Sequence, residues 1–345
     1  MTALARIPVT HDDCTVDFIH VGLGKCASTY VQGLWAADQR YAYIDGIRLV
    51  QAVRTAAEAG PGACLPVKPL NRRPTQTTVL SSEGFTWGWI NAPEKQFAVE
   101  NLHRVSARTL GKAALSNRVL ILVRNPVDWL RGVHEQSIKE GGDVPFATFL
   151  KEQELLCRSV LDLAFILECY RKYFATVVVL STDELRDAPE RFWQAYEERL
   201  AAPKPSEEAM VHAQRVSRNG NKGLGDRTAV LAALNRHSMA LSSTYTNLQG
   251  FEETFPSEYA LMKSLVTDGW LWPNRRVAEF GSDKQLAEIA SHLAPMDKEA
   301  FCRIRLSQGL ADWIAERFLA PLEAIDTISP ETVAGYRDAV AAALE

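Results

Sequence analysis

Four stretches of the chain read as strands: the short apolar run 16–21, the β-branched 77–80, and the nearly continuous apolar runs 118–123 and 176–180. Runs of four to six residues rich in Val, Ile and Leu are what strands buried on both faces of a parallel sheet require. Between them the period lengthens to that of a helix. Apolar positions recur at helical spacing just after residue 28 (Tyr30, Val31, Leu34, Trp35), over 46–58 and over 94–116 (Phe97, Leu102, Val105, Leu110, Ala114). They do so again from 126 to the Gly141-Gly142 pair, over 155–174 and over 189–200. Strands alternating with helices predict an α/β fold, a parallel sheet flanked by helices, over residues 14–205. Pro203 and Pro205 mark a break. Residues 206–345 show helices and loops but no run that reads as a buried strand, so a helical C-terminal part packed on the core of a single domain is expected. Its last helix has a legible start: Ser329 as cap, Pro330 in first position, and Ile328 placed to pack on Val333.

Composition narrows the function classes. A hydrophobic fraction of 47% with 23% charged residues is ordinary for a folded protein with a full core. A net charge of −4 argues against a general nucleic-acid binder. The six cysteines are scattered with no CxxC pair, which points to neither a zinc site nor a disulfide framework and makes reduced thiols in the cytoplasm the expectation. Residues 1–13 lack the apolar core of a signal peptide, and no apolar run is long enough for a membrane span.

Chemistry concentrates where the first strand ends. Gly22-Leu-Gly24-Lys25-Cys26-Ala27-Ser28-Thr29 joins a strand to a helix start, with two glycines, one cation and two hydroxyls. A helix N-terminus offers unpaired N–H groups and a positive dipole end, so this composition suits a phosphate cradle. It is not a Walker A loop. Position 19 is Ile where that motif needs its first Gly, and Cys26 stands where a Ser or Thr would hold Mg²⁺. Two further segments follow strands in the same way, Ser81-Ser82-Glu83 and Arg124-Asn125-Pro126, and a basic, Gly-rich loop expected at 215–225 is a further candidate for the same end of the sheet. In a doubly wound sheet, strand carboxyl ends are where ligands bind.

This set of motifs resembles the sulfotransferases that use 3′-phosphoadenosine 5′-phosphosulfate (PAPS), over roughly residues 16–200. Gly24-Lys25-Cys26-Ala27-Ser28-Thr29 is similar to that family's 5′-phosphosulfate loop, matching at the lysine and both hydroxyls. Val123-Arg124-Asn125-Pro126-Val127-Asp128 is similar to its 3′-phosphate motif, and Val177 to Leu185 followed by Ala188-Pro189-Glu190 to its next strand and turn. Gly24, Cys26 and Ala27 replace the family's Pro, Ser/Thr and Gly. Gly132 stands where the family has Ser, leaving the 3′-phosphate site one donor short unless Ser137 or the 215–225 loop supplies it.

The resemblance implies a P-loop-like sulfotransferase fold and PAPS as co-substrate, with no metal required. It implies that Lys25 stabilises charge on the leaving oxygen and that Ser28 and Thr29 hold the 5′-phosphate. Tyr30 would stack on adenine, and Arg124, with Arg215, Ser217, Arg218 and Lys222, would hold the 3′-phosphate. Glu83 occupies the position of the general base, with His134 in reserve, while His20 reads as a packed strand residue. Arg124 also has a plain structural alternative, an ion pair with Asp128. The implied acceptor is a hydroxyl of a carbohydrate, glycolipid or small metabolite. Trp87, Trp89, Trp270 and Trp272 are candidates to line its groove. Two other classes stay open: a P-loop kinase using Mg²⁺-ATP, with Asp183 imitating a Walker B acid, and a non-catalytic nucleotide-binding protein.

Overall fold

The structure, a computed structural model, describes residues 15–67, 75–86, 96–220, 224–246, 274–275, 278–293 and 297–344. One five-stranded sheet organises it: β1 (Phe18–His20), β2 (Tyr41–Asp45), β3 (Thr77–Ser81), β4 (Arg118–Val123) and β5 (Thr176–Ser181). The order is β2-β3-β1-β4-β5 and every pairing is parallel. Val119 to Val123 are completely or almost completely buried, as a strand covered on both faces must be.

Helices connect consecutive strands. α1 (Ser28–Ala37) follows β1, α2 (Ile47–Glu58) follows β2, and α3 (Gln96–Lys112) follows β3. α4 (Pro126–Lys139), α5 (Phe146–Leu161) and α6 (Leu163–Arg171) separate β4 from β5. Then come α7 (Thr182–Asp187), α8 (Pro189–Leu200), α9 (Glu207–Gly220) and α10 (Thr228–Thr246), with a C-terminal helix at Pro330–Ala342. The expected α/β fold with a parallel sheet flanked by helices is present, as is a helical C-terminal part. Ser329 caps the last helix through Thr332 N–H, as its sequence foretold.

Three expectations need correction. β2 was not foreseen: it is a five-residue edge strand in a segment without a buried run, and Tyr41 rather than an aliphatic core anchors it. Tyr41 Oη lies 3.0 Å from Tyr196 Oη, which in turn accepts a hydrogen bond from Trp35 Nε1 at 3.0 Å. The single helix expected over 155–174 is broken at Asp162, whose carboxylate caps α6 through Phe165 N–H and receives the Arg317 guanidinium. The basic loop expected from 215 is helical as far as Gly220. Ala213 brings α9 against α1, where a Cβ on Gly33 would sit 3.4 Å from the Ala213 Cβ. That tertiary contact outweighs the weak helix propensity of Ser217, Asn219 and Gly220.

The chain divides into two compact units. The first takes residues up to 129, 153–221 and 306–345; the second takes 130–152 and 222–305. The first contains the sheet. The second has its own apolar core of Ile138, Leu224, Leu231, Ala232, Ala278 and Phe301. Its buried Lys139–Glu279 ion pair at 3.1 Å is extended by Arg275 at 3.1 Å. Among the described residues no helix is long and apolar enough to cross a membrane.

Within the sheet, β1 is followed by a connection to one side and β4 by a connection to the other. The carboxyl ends of β1 and β4 therefore flank the topological switch point, the crevice where parallel sheets accept ligands.

Candidate functional site

The loop at that crevice is strained in a specific way. Lys25 and Ala27 both have left-handed backbones, with φ of 65° and 53°. The two other described non-glycine residues with positive φ, Ala114 and Ala201, lie where helices end, a common place for that conformation. Lys25 and Ala27 instead precede a helix, and each left-handed non-glycine residue costs about 1–2 kcal/mol. Left-handed residues in such a turn point successive N–H groups inward, forming an anion nest.

α1 begins directly from this turn, with Ala27 in the cap position, no capping side chain and no acidic residue in its first turn. Among the described residues, the N–H groups of Gly24, Ala27 and Ser28 meet no acceptor. The helix therefore starts with open donors and an uncompensated dipole end.

The left-handed positions of this turn are not its glycines. Neither Gly22 nor Gly24 is among the residues with positive φ. Gly22 is small because His20 lies beneath it: a Cβ there would stand 2.3 Å from His20 Nε2. His20 is wholly buried, as expected of a strand residue, and burial lowers its pKa from 6.5 to about 3. Its Nδ1 is 2.8 Å from Ser81 Oγ, which also accepts a hydrogen bond from Gln32 at 3.1 Å. Its Nε2 is buried without a hydrogen-bond partner.

Neighbouring elements clamp the loop. Thr86 Oγ1 lies 2.8 Å from the Val21 carbonyl and 2.6 Å from that of Gly22. Trp129, on the first turn of α4, donates Nε1–H to the Gly24 carbonyl at 2.7 Å. Ser82 N–H donates to the His20 carbonyl at 3.0 Å. Pattern reading missed Thr86 and Trp129, since nothing in spacing distinguishes a hydroxyl or an indole that holds a carbonyl from one that does not.

Glu83 opens a single 3₁₀ turn, Glu83–Phe85, after β3. The cap of that turn is Ser82, whose Oγ accepts from Gly84 N–H at 3.2 Å, which leaves the Glu83 carboxylate out of the capping role. Gly84 is needed there, because a Cβ would meet Val50 at 2.6 Å. The half-buried Arg54 of α2 lies beside the same turn, its pKa lowered by burial and raised in part by Glu83. Sequence reading did not single out Arg54.

Arg124 follows β4 directly and is half-buried. Among the described residues it forms no ion pair, so the alternative of a salt bridge to Asp128 is not realised. Asn125 caps α4, its Oδ1 accepting from Val127 N–H at 3.0 Å. Asp183 is engaged structurally. Its Oδ2 accepts from Asn125 N–H at 2.8 Å and from the Tyr336 hydroxyl at 2.7 Å.

Cys26 shows how closely these parts converge. Its thiol is wholly buried, and its pKa is raised by burial above all, with Arg124 acting to lower it and Glu83 and Asp183 to raise it. Charged residues following β3, β4 and β5 are therefore close enough to be felt at the thiol that follows β1.

The remaining expected site residues are placed as follows. Ser28 is buried, its hydroxyl directed to the Leu23 carbonyl at 3.5 Å; Thr29 is exposed. Tyr30 is half-buried and its hydroxyl is hydrogen-bonded by the Gln214 side chain of α9. Arg215 is exposed on α9, and Ser217 and Arg218 occupy its last turns. Gly132, His134 and Ser137 belong to the second unit. There the His134 ring is enclosed by Phe146, Phe149 and Phe301, with Nε2 2.9 Å from the Val144 carbonyl. Burial lowers its pKa. Lys222, Trp87, Trp89, Trp270 and Trp272 lie outside the described residues.

Compared with known protein families, with curated proteins and with solved structures, the chain finds no match in any of the three.

Proposed function

We propose that this site binds a nucleotide through two separated phosphate groups and that the sheet is of the P-loop-like kind. Within that class, the reading that fits the residues best is a PAPS-dependent sulfotransferase. One observation carries it: the uncapped, left-handed turn at the start of α1 and Arg124, a cation without an ion-pair partner among the described residues, follow the adjacent parallel strands β1 and β4 at the switch point. The turn would take the 5′-phosphosulfate and Arg124 the 3′-phosphate, the latter by a fork of donors.

In the proposed reaction, an acceptor hydroxyl gives its proton to Glu83 as its oxygen attacks sulfur. The bond from sulfur to the 5′-phosphate oxygen breaks, and adenosine 3′,5′-bisphosphate leaves carrying the charge that Lys25 and the α1 N-terminus stabilise. Glu83 is preferred to His134 as base. It is half-exposed on a turn stitched to the loop, whereas His134 is walled by aromatic rings. The acceptor would be a hydroxyl of a carbohydrate, glycolipid or small metabolite.

Two residues weigh against Mg²⁺-ATP. At the position of the magnesium hydroxyl stands a fully buried thiol, and the Asp183 carboxylate already accepts two hydrogen bonds.

Incubating the protein with PAPS and a panel of sugars, glycolipids and phenols, with mass detection of sulfonated products, tests the reaction. Glu83→Gln is expected to lower turnover by at least about a hundredfold with nucleotide affinity within a factor of about two. Full activity in Glu83→Gln removes Glu83 from the role, and phosphate transfer from Mg²⁺-ATP overturns the reading.

A further inference from the structure

Arg124 is held from both sides by the end of β5. On one side the Thr182 hydroxyl donates to the Val123 carbonyl at 3.1 Å; on the other, Asn125 N–H donates to Asp183 Oδ2 at 2.8 Å. The peptide groups flanking Arg124 are therefore both anchored by consecutive residues, Thr182 and Asp183.

The anchor extends to the far end of the chain. Ser181 Oγ accepts from Asp183 N–H at 3.1 Å and from Glu184 N–H at 3.3 Å. Its own proton is then directed to the Tyr336 oxygen, 2.6 Å away. With that oxygen accepting, the Tyr336 proton goes to Asp183 Oδ2 at 2.7 Å. Each hydroxyl has a single proton, so the chain runs in one direction: Ser181 to Tyr336 to Asp183, whose carboxylate also receives Asn125. Tyr336 is nearly inaccessible to solvent, and burial followed by the Asp183 charge raises its pKa, keeping the donor protonated. A buried carboxylate that loses one of its donors reorients toward whatever donors remain.

From this geometry we infer that Tyr336, on the C-terminal helix, is a positioning residue for Arg124: by fixing the Asp183 carboxylate it sets the peptide that aims the guanidinium at the second phosphate. This rests on the nucleotide reading above and adds to it a role for the C-terminal helix in nucleotide selectivity.

The same helix supplies an internal control. Thr332 donates to Glu184 Oε1 at 2.9 Å and makes no bond to Asp183. Thr332→Val therefore weakens the docking of this helix without touching the Asp183 carboxylate.

The experiment is calorimetric titration of the wild type, Tyr336→Phe and Thr332→Val with adenosine 3′,5′-bisphosphate and with adenosine 5′-phosphate. In the wild type the bisphosphate is expected to bind at least about tenfold more tightly, the value of one charge-assisted phosphate contact. Tyr336→Phe is expected to reduce that preference about tenfold with little change in affinity for the monophosphate, since misaiming by a fraction of an ångström is felt only by the group Arg124 contacts. Thr332→Val is expected to keep the preference. Amide exchange at Asn125 provides a second readout and should accelerate in Tyr336→Phe alone. A wild type that binds both nucleotides equally defeats the nucleotide reading and this inference with it. A wild-type preference that persists undiminished in Tyr336→Phe, with Asn125 exchange unchanged, overturns the inference and leaves the nucleotide reading standing.

Discussion

At Ala27 the backbone adopts φ 53°, where a Cβ crowds the neighbouring carbonyl. A glycine there relieves that contact, so Ala27→Gly is expected to stabilise the protein by about 1 kcal/mol in urea unfolding. Destabilisation would mean that the turn does not hold the left-handed form. The neighbouring Gly22→Ala should act in the opposite sense. Its Cβ would stand 2.3 Å from a buried imidazole nitrogen, a clash expected to cost about 1–3 kcal/mol.

The buried histidines give a pH signature. His20 and His103 have pKa values lowered by burial from 6.5 to about 3 and about 4. Above pH 6.5 both are neutral folded or unfolded, and the full stability is present. As pH falls below 6.5 the unfolded chain takes up protons that the folded protein refuses, so stability declines until pH approaches the folded values. Each contributes a slope of up to about 1.4 kcal/mol per pH unit between roughly pH 6 and 4. Urea unfolding at stepped pH measures this. His103→Gln should shallow the slope by about one proton, and an unchanged slope would assign the acid sensitivity to other groups.

Between elements, the loop after β1 is held by its neighbours more than by itself. Thr86 shares its single hydroxyl proton between the Val21 and Gly22 carbonyls, and Trp129 holds the Gly24 carbonyl. Thr86→Val strips a hydroxyl from buried carbonyls and is expected to cost about 1–3 kcal/mol. The same change should weaken nucleotide binding at the turn, measured by calorimetry; intact affinity would show that the turn keeps its form unaided. These contacts mark where the sequence stops being informative. Strands β3, β4 and β5 and the caps at Asn125 and Ser329 were legible because hydrophobic runs and capping chemistry are local. β2 was not, since its register depends on β3 and on a tyrosine pair reached across the fold. The end of α9 was misread because Arg, Ser, Asn and Gly favour a loop locally, while packing on Gly33 decides otherwise. The candidate site was legible at three strand ends, those of β1, β3 and β4, but its clamps were not: Thr86, Trp129 and Tyr336 act through side-chain bonds that no spacing announces.

For the molecule as a whole, the sheet order places the ends of β1 and β4 at the switch point, and charges following β3 and β5 act electrostatically on Cys26. Segments far apart in sequence are thereby committed to one end of the sheet: a donor-rich turn, a carboxylate at Glu83 and a cation at Arg124. The central claim is that this crevice reads two separated phosphates rather than a triphosphate with magnesium. Isothermal titration of adenosine 3′,5′-bisphosphate against Mg²⁺-ATP, on the wild type and Arg124→Ala, tests it most directly because no acceptor is needed. The expected result is bisphosphate binding that exceeds ATP binding and falls at least about tenfold in Arg124→Ala. Equal binding of ATP, with Arg124→Ala without effect, would contradict it.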